Sequence, residues 1–164
     1  MGTKENILAL RAKTGAGVIA CRKALEEAGG DVARALDILK QKGSEVAAAK
    51  AGRSASQGMI GSYVHTGGTV AAMVLLRCET DFVARNPAFR ELGRDLAMQV
   101  AAMNPLVIRP EDTPAGGDPA TVALLAQTFV KDPDGRQTVR ELLDAKVLEL
   151  GENITVEQFA RYAV

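Results

Sequence analysis

Val70-Ala71-Ala72-Met73-Val74-Leu75-Leu76-Arg77-Cys78-Glu79-Thr80-Asp81-Phe82-Val83-Ala84-Arg85-Asn86-Pro87 carries an apolar run into an abrupt polar corner and out again. Val70 to Leu76 has the β-branched and aliphatic content of a strand. Asn86-Pro87 reads as a helix start, with Asn as N-cap and Pro at the first helical position. The corner between them, with Asp81 beside Phe82, is therefore a strand-to-helix junction, where side chains can project from a rigid base. One reading makes Phe82 a wedge directed at a partner. The other has Thr80 or Asp81 capping a helical turn while Phe82 and Val83 fold back into the core, as apolar residues usually do.

Upstream, Met59, Ile60, Tyr63 and Val64 form a second strand-like run, joined to the first through Thr66-Gly67-Gly68-Thr69. Two such runs around Gly-Gly predict a β-hairpin. Downstream, Phe89, Leu92, Leu96, Val100 and Met103 recur at helical spacing over 87–103, which predicts one buried helix face. Val107-Ile108 is expected as a short strand, 110–119 as a Pro/Gly/Asp-rich loop, 121–126 as helical turn and 128–130 as a short extended segment. A helix over 139–150, with Leu142, Leu143 and Val147 inward, stops at Gly151, and a final strand spans 154–162.

The first 43 residues read as three short helices. Ile7, Leu8 and Leu10 mark the first, which breaks at Thr14-Gly15-Ala16-Gly17. Val18, Cys21, Leu25 and Ala28 lie on one face of the second. Gly29-Gly30 ends it, Asp31 caps the third, and Val32, Ala35, Leu36 and Leu39 run to a stop at Gly43. Residues 44–57 are Ala-rich and charged but lack large apolar groups, the composition of a helical linker fraying toward Ser54-Ala55-Ser56, with a short core helix as the alternative. The expected fold class is α+β: a three-helix module (1–43), a helical linker (44–57), and an α+β core with an antiparallel sheet (58–164).

The 164 residues are 47% apolar and 24% charged, enough for a genuine core. Twenty basic residues balance twenty acidic ones, so no global field favours nucleic acid or membrane. The first 53 residues carry ten Lys/Arg against six Asp/Glu, a net +4, and the remainder a net −4. Chance surface variation and a basic module meeting an acidic partner both fit that asymmetry. Cys21 and Cys78 lack metal-like spacing and sit in apolar patterns, which predicts buried reduced thiols in a cytoplasmic protein. No apolar stretch approaches a membrane span. Met1-Gly2-Thr3-Lys4-Glu5-Asn6 lacks the Ser/Thr that a myristoylation signal places at its sixth position, and no signal or transit segment is expected.

Apparent nucleotide motifs fail on context. Gly15-Ala16-Gly17-Val18-Ile19-Ala20 satisfies G-x-G-x-x-A, but that fingerprint needs a preceding strand, and a helix is expected there. Gly17 to Lys23 approaches a phosphate loop, yet Arg22 replaces its second Gly and Ala24 its Ser/Thr. His65, the sole histidine, falls at the hairpin tip; a Cys78/His65 dyad has no orienting partner. Glu79 and Asp81 alternate along the chain and are too few for a metal site. With no active site in view and neither cofactor nor metal expected, the residues favour a protein that acts on another protein.

Thr80-Asp81-Phe82-Val83-Ala84-Arg85-Asn86 resembles the signature of the translation elongation factor Ts family, the guanine-nucleotide exchange factors for elongation factor Tu. Further resemblance lies in Thr14-Gly15-Ala16-Gly17 with Cys21-Arg22-Lys23-Ala24-Leu25, in Leu96 to Pro105, in Ile108-Arg109-Pro110-Glu111-Asp112, in Phe129-Val130-Lys131-Asp132 and in Gly151-Glu152-Asn153-Ile154. The resemblance implies a ubiquitin-associated-like N-terminal module and an exchange factor that is not itself an enzyme. It casts Thr80, Asp81, Phe82 and Val83 as a segment that intrudes into GDP-bound elongation factor Tu, displaces Mg²⁺ and leaves the nucleotide-free partner. Val18 and Ile19 match the N-terminal surface that grips the same GTPase, with Arg22 and Lys23 adding charge; packing within the bundle is the other role open to Val18. Family members carry a long, mostly helical insertion after the Pro-Glu-Asp region, where this chain has only 113–127. Short members pair through their sheets, which admits a non-covalent homodimer. The competing reading is an adaptor without exchange activity, built on the same helical bundle.

Overall fold

The computed structural model describes residues 4–132 and 134–164; Met1-Gly2-Thr3, part of the start read above for lipidation, lies outside them. The chain packs as two compact units. One comprises the chain up to Gly52 together with Glu141–Glu152, and the other Arg53–Arg140 with Asn153–Val164.

The first unit contains α1 (Lys4–Thr14), α2 (Val18–Glu27) and α3 (Val32–Lys50). The Asp31 carboxylate accepts a hydrogen bond from Arg34 N at 3.0 Å and so caps α3 as its sequence predicts. Leu10, Ala16, Cys21, Ala24, Leu25, Ala28, Ala35 and Leu39 form a small buried core. Most of α7 (Val139–Leu150) also belongs to this unit, and its Leu148 packs on that core.

Two expectations are corrected here. Gly43 does not stop α3, which continues to Lys50 through Ala-rich sequence of high helix propensity. Instead Gly43 is where α7 comes close: a Cβ there would lie 3.4 Å from the Asp144 carbonyl group. Val18, placed by spacing on the core face of α2, is half exposed. It occupies the first position of the helix, ahead of the Cys21–Leu25 contacts that anchor it.

The second unit is built on a three-stranded antiparallel sheet in the order β1-β2-β3, with β1 at Gln57–Val64, β2 at Val70–Cys78 and β3 at Thr155–Ala163. The predicted hairpin and final strand are thus both present. The register pairs Gln57 with Cys78 and Val64 with Ala71, and a bulge between Leu75 and Leu76 adjusts β2 against β3. The helix predicted over 87–103 is α5 (Pro87–Met103), which lies across β1 and β2. Gly61 of β1 and the Gly93 backbone of α5 are so close that a Cβ on Gly61 would collide with the Gly93 carbonyl oxygen.

Phe89, Leu92, Leu96 and Val100 are fully buried beneath α5, together with Val74 and Leu76 from β2. Met103 departs from the predicted face: it is exposed in the last turn, where Asn104 ends the helix in the left-handed conformation (φ 47°). The opposite sheet face stays open, with Ile60, Val64, Met73 and Tyr162 exposed.

Between Leu106 and Thr138 the chain uses short pieces: α6 (Pro119–Val122), two 3-10 turns, a parallel bridge Val107–Ala123 and an antiparallel bridge Thr128–Thr138. A buried amide pair fastens this segment to α5. Gln99 Nε2 donates to Gln127 Oε1 (3.2 Å) and to the Thr128 carbonyl (3.0 Å), while its Oε1 accepts from Val130 N at 2.8 Å. Neither amide leaves polar groups unpaired in the core, which would cost stability.

Candidate functional site

The polar corner after β2 folds as a five-residue helix, α4 (Asp81–Arg85). Thr80 is its N-cap: the extended Thr80 backbone turns Oγ1 toward Val83 N, from which it accepts a hydrogen bond at 3.4 Å. Asn86 closes α4 and opens α5. Its N–H donates to the Val83 carbonyl at 2.9 Å, and its Oδ1 accepts from Ala88 N at 2.8 Å. One residue thereby serves two helix ends, so α4 is clamped to the longer helix behind it.

On this clamped turn, neighbouring apolar residues part company. Val83 is buried and roots α4, whereas Phe82 is 83% exposed. Thr80 caps a turn and Val83 folds inward, as the second sequence reading has it, while Phe82 projects instead of folding back. Asp81 is half exposed and pairs with Arg85 one turn on, at 3.1 Å. A surface pair of this kind adds little stability, about 0.3–0.5 kcal/mol, so the Asp81 carboxylate is available to a competing partner at small cost.

Behind the turn lie residues whose connection to one another their sequence positions did not show. Glu79 Oε1 accepts from the Asn153 backbone N–H at 2.7 Å and lies 3.8 Å from the Arg53 guanidinium. Asn153 Nδ2 in turn donates to the Arg53 carbonyl at 2.8 Å, and the buried Cys78 thiol donates to the Thr80 carbonyl at 3.2 Å. Glu79 and Asp81 therefore do different things, as their alternation along the chain suggested. The one sequence clue was position, since Glu79 adjoins the corner and Asn153 sits in the Gly-Glu-Asn-Ile block.

In the first unit, Val18 (50%) and Ile19 (66%) expose apolar surface on the opening turn of α2. Arg22 and Lys23 are exposed one turn on, with Arg22 3.7 Å from Glu26. Gly17 precedes the helix without a side-chain cap. Beneath this surface the buried Cys21 thiol is held neutral by desolvation, which pushes its pKa above the ordinary value.

His65 stands at the hairpin tip beside the Tyr63 hydroxyl (3.0 Å), whereas Cys78 pairs with Gln57 at the other end of the hairpin, which removes the dyad. Among the described residues no cluster of three or more His, Cys, Asp or Glu side chains is placed to hold a metal ion. No described helix is long and apolar enough to cross a membrane. Among the described residues, α2 and α4 each expose apolar side chains, as does the open face of the sheet.

Residues 20–116 match the family model described as Elongation factor TS, a span that takes in α2 from its third residue, the whole hairpin, α4 and α5, and leaves out Val18 and Ile19. The chain is 40% identical to the elongation factor Ts of Carboxydothermus hydrogenoformans, with 99% of this chain and 88% of that protein aligned. It is 41% identical to that of Thermodesulfovibrio yellowstonii (99% and 96%) and 39% to that of Syntrophomonas wolfei (100% and 91%). These alignments run to 193–196 positions, longer than the chain itself, because the relatives carry residues that this chain lacks. With relatives this similar over nearly its whole length, the chain belongs to the elongation factor Ts family, and its role lies in translation elongation.

Proposed function

We propose that this protein is a guanine-nucleotide exchange factor that binds elongation factor Tu in its GDP-bound state, displaces Mg²⁺, promotes GDP release and holds the nucleotide-free partner. The observation that carries this reading is Phe82, 83% exposed on a turn that Thr80 caps and Val83 roots in the core. A large ring held in water is poised to gain by burial, about 1.5–3 kcal/mol when a partner covers it. Thr80, Asp81, Phe82 and Val83 act as one intruding segment: Thr80 and Val83 hold the turn, Phe82 fills space in the partner, and Asp81 brings negative charge toward the Mg²⁺ region. Bound Mg²⁺ bridges and neutralises phosphate oxygens, so its displacement weakens GDP binding.

Coupling is reciprocal, and a thousandfold weakening of GDP requires about 4 kcal/mol of differential binding. Phe82 alone falls short of that. The second contact is the surface of α2, where Val18 and Ile19 grip the GTPase domain and Arg22 and Lys23 add charge. In this division of labour the unit that carries α2 grips and the unit that carries α4 pushes. The protein itself takes no cofactor, contacts no nucleic acid or membrane directly and works in the cytoplasm.

The decisive measurement is release of fluorescent GDP from elongation factor Tu with the wild-type protein and with Phe82→Ala. Acceleration by the wild type and its loss in the folded variant support exchange through Phe82; no acceleration by either removes the proposal and leaves the adaptor reading. The open apolar sheet face, with Ile60, Val64, Met73 and Tyr162 exposed, favours a non-covalent homodimer formed face to face. Met73→Glu places a charge in that face and is expected to give a monomer by sedimentation; a wild-type chain that is already monomeric at high concentration overturns the pairing.

A further inference from the structure

We propose that Glu79 and Asn153 are positioning residues for nucleotide exchange, setting the angle at which α4 carries Phe82 away from the sheet. The inference rests on the reading of Thr80–Val83 as the exchange segment and adds to it the groups that keep that segment stiff. Only Glu79 and Thr80 separate the last residue of β2 from the first of α4. Two linking residues with free backbone torsions would let the turn swing, and a swinging turn loses its binding energy to ordering when it meets a partner.

Three chain segments remove that freedom. Arg53 lies in the segment leading into β1, Glu79 directly after β2 and Asn153 two positions before β3 begins. The Asn153 backbone N–H donates to Glu79 Oε1 (2.7 Å), and its side chain donates to the Arg53 carbonyl (2.8 Å), so one residue ties both neighbours. Arg53 closes the triangle through its guanidinium, 3.8 Å from the same Glu79 oxygen. A carboxylate receiving a backbone N–H forms a charge-assisted bond, shorter and stronger than a neutral one. On the far side the Cys78 thiol holds the Thr80 carbonyl. Asn153 is buried and the Glu79 side chain is only 22% exposed. These groups act through the turn they hold and present little surface of their own to a partner.

The test compares two substitutions of Glu79 in the GDP-release assay on elongation factor Tu, reading the maximal release rate and the half-saturating factor concentration separately. Glu79→Gln keeps an acceptor oxygen in place and discards the charge; Glu79→Asp keeps the charge and withdraws the acceptor by one methylene. Loss of a hydrogen bond to a charged group predicts about a tenfold lower maximal rate for Glu79→Asp, with half-saturation within about twofold and Glu79→Gln within about threefold of wild type. The same Glu79→Asp change introduced into Phe82→Ala is expected to cost almost nothing further, because the residue acts through Phe82. Asn153→Ala, which cuts the bond to the Arg53 carbonyl and leaves Glu79 intact, gives the same readout if Glu79→Asp does not fold.

An unchanged maximal rate in Glu79→Asp, an equal loss in Glu79→Gln, or a loss that persists undiminished in the Phe82→Ala background each overturns the assignment. If Phe82→Ala alone behaves as wild type, the exchange segment itself is misplaced and the positioning role goes with it. That outcome is distinguishable because it appears in protein whose Glu79 is intact.

Discussion

Two short helices of this molecule each show apolar side chains to solvent, and they are built in opposite ways. On α2, Val18 and Ile19 stand on an opening turn with no side-chain cap, preceded by Gly17. On α4, Phe82 stands between a capping Thr80 and the shared cap Asn86, with Val83 buried beneath it and Glu79 tied to Asn153 behind it. An uncapped first turn yields its exposed residues some freedom to adapt to a partner surface. A turn held at both ends can transmit force. Under the proposed function, the contrast corresponds to a division in which α2 supplies affinity and α4 the distortion.

The largest expected effect lies on the stiff side. Phe82→Ala is expected to lower the maximal GDP-release rate by roughly 10- to 100-fold, the equivalent of one lost aromatic burial. Its melting temperature is expected to stay within a degree or two of wild type, since exposed side chains contribute within about 0.5 kcal/mol to stability. A rate loss accompanied by a large drop in melting temperature breaks the comparison, because Phe82 would then be supporting the fold.

Removing the cap sharpens it. Thr80→Ala deletes the acceptor for Val83 N and is expected to destabilise the turn by about 1 kcal/mol. The maximal exchange rate should fall several-fold while the global unfolding midpoint hardly moves; hydrogen exchange at the Val83 amide reports the loosened turn directly. If Thr80→Ala exchanges as fast as wild type, rigidity of α4 does not matter.

Smaller effects belong to α2. Ile19→Ala is expected to raise the half-saturating concentration by about three- to tenfold, a loss of about 1 kcal/mol of apolar burial, and to leave the maximal rate unaltered. A change in the maximal rate instead would mean that α2 also takes part in the distortion.

The smallest effect is a pH dependence of the unit that carries α2. An unfolded Cys21 thiol ionises from its ordinary value of 9.0, while burial keeps the folded thiol neutral to higher pH. The unfolded chain then binds fewer protons than the folded one, so stability present in full below pH 9 declines as pH rises toward the raised folded value. Urea midpoints measured from pH 8 to 10 should fall in the wild type and fall less in Cys21→Ala. Equal slopes in the two proteins would rule out Cys21 as the source.

Much of this was legible along the chain, and the failures cluster. Asn86-Pro87 marked the start of α5 because cap and first-turn chemistry are local. The Gly-Gly hairpin likewise needed only its own residues. Gly43 misled because glycine serves equally as a helix end and as a place where another helix comes near, and the second role depends on α7, about a hundred residues away. Val18 misled because helical periodicity names a face without saying how far along that face the neighbours extend.

Sequence alone determined the α+β class and the order of the longer helices and strands, since periodicity, caps and turn residues act within one or two turns of chain. Tertiary structure alone decided that Phe82 points outward while Val83 points in. It also decided that α7 joins the N-terminal helices and that Glu79 meets Asn153 across 74 positions of sequence. Exposure and long-range hydrogen bonding are properties of which surfaces meet, and a linear pattern does not carry that information until the chain has packed.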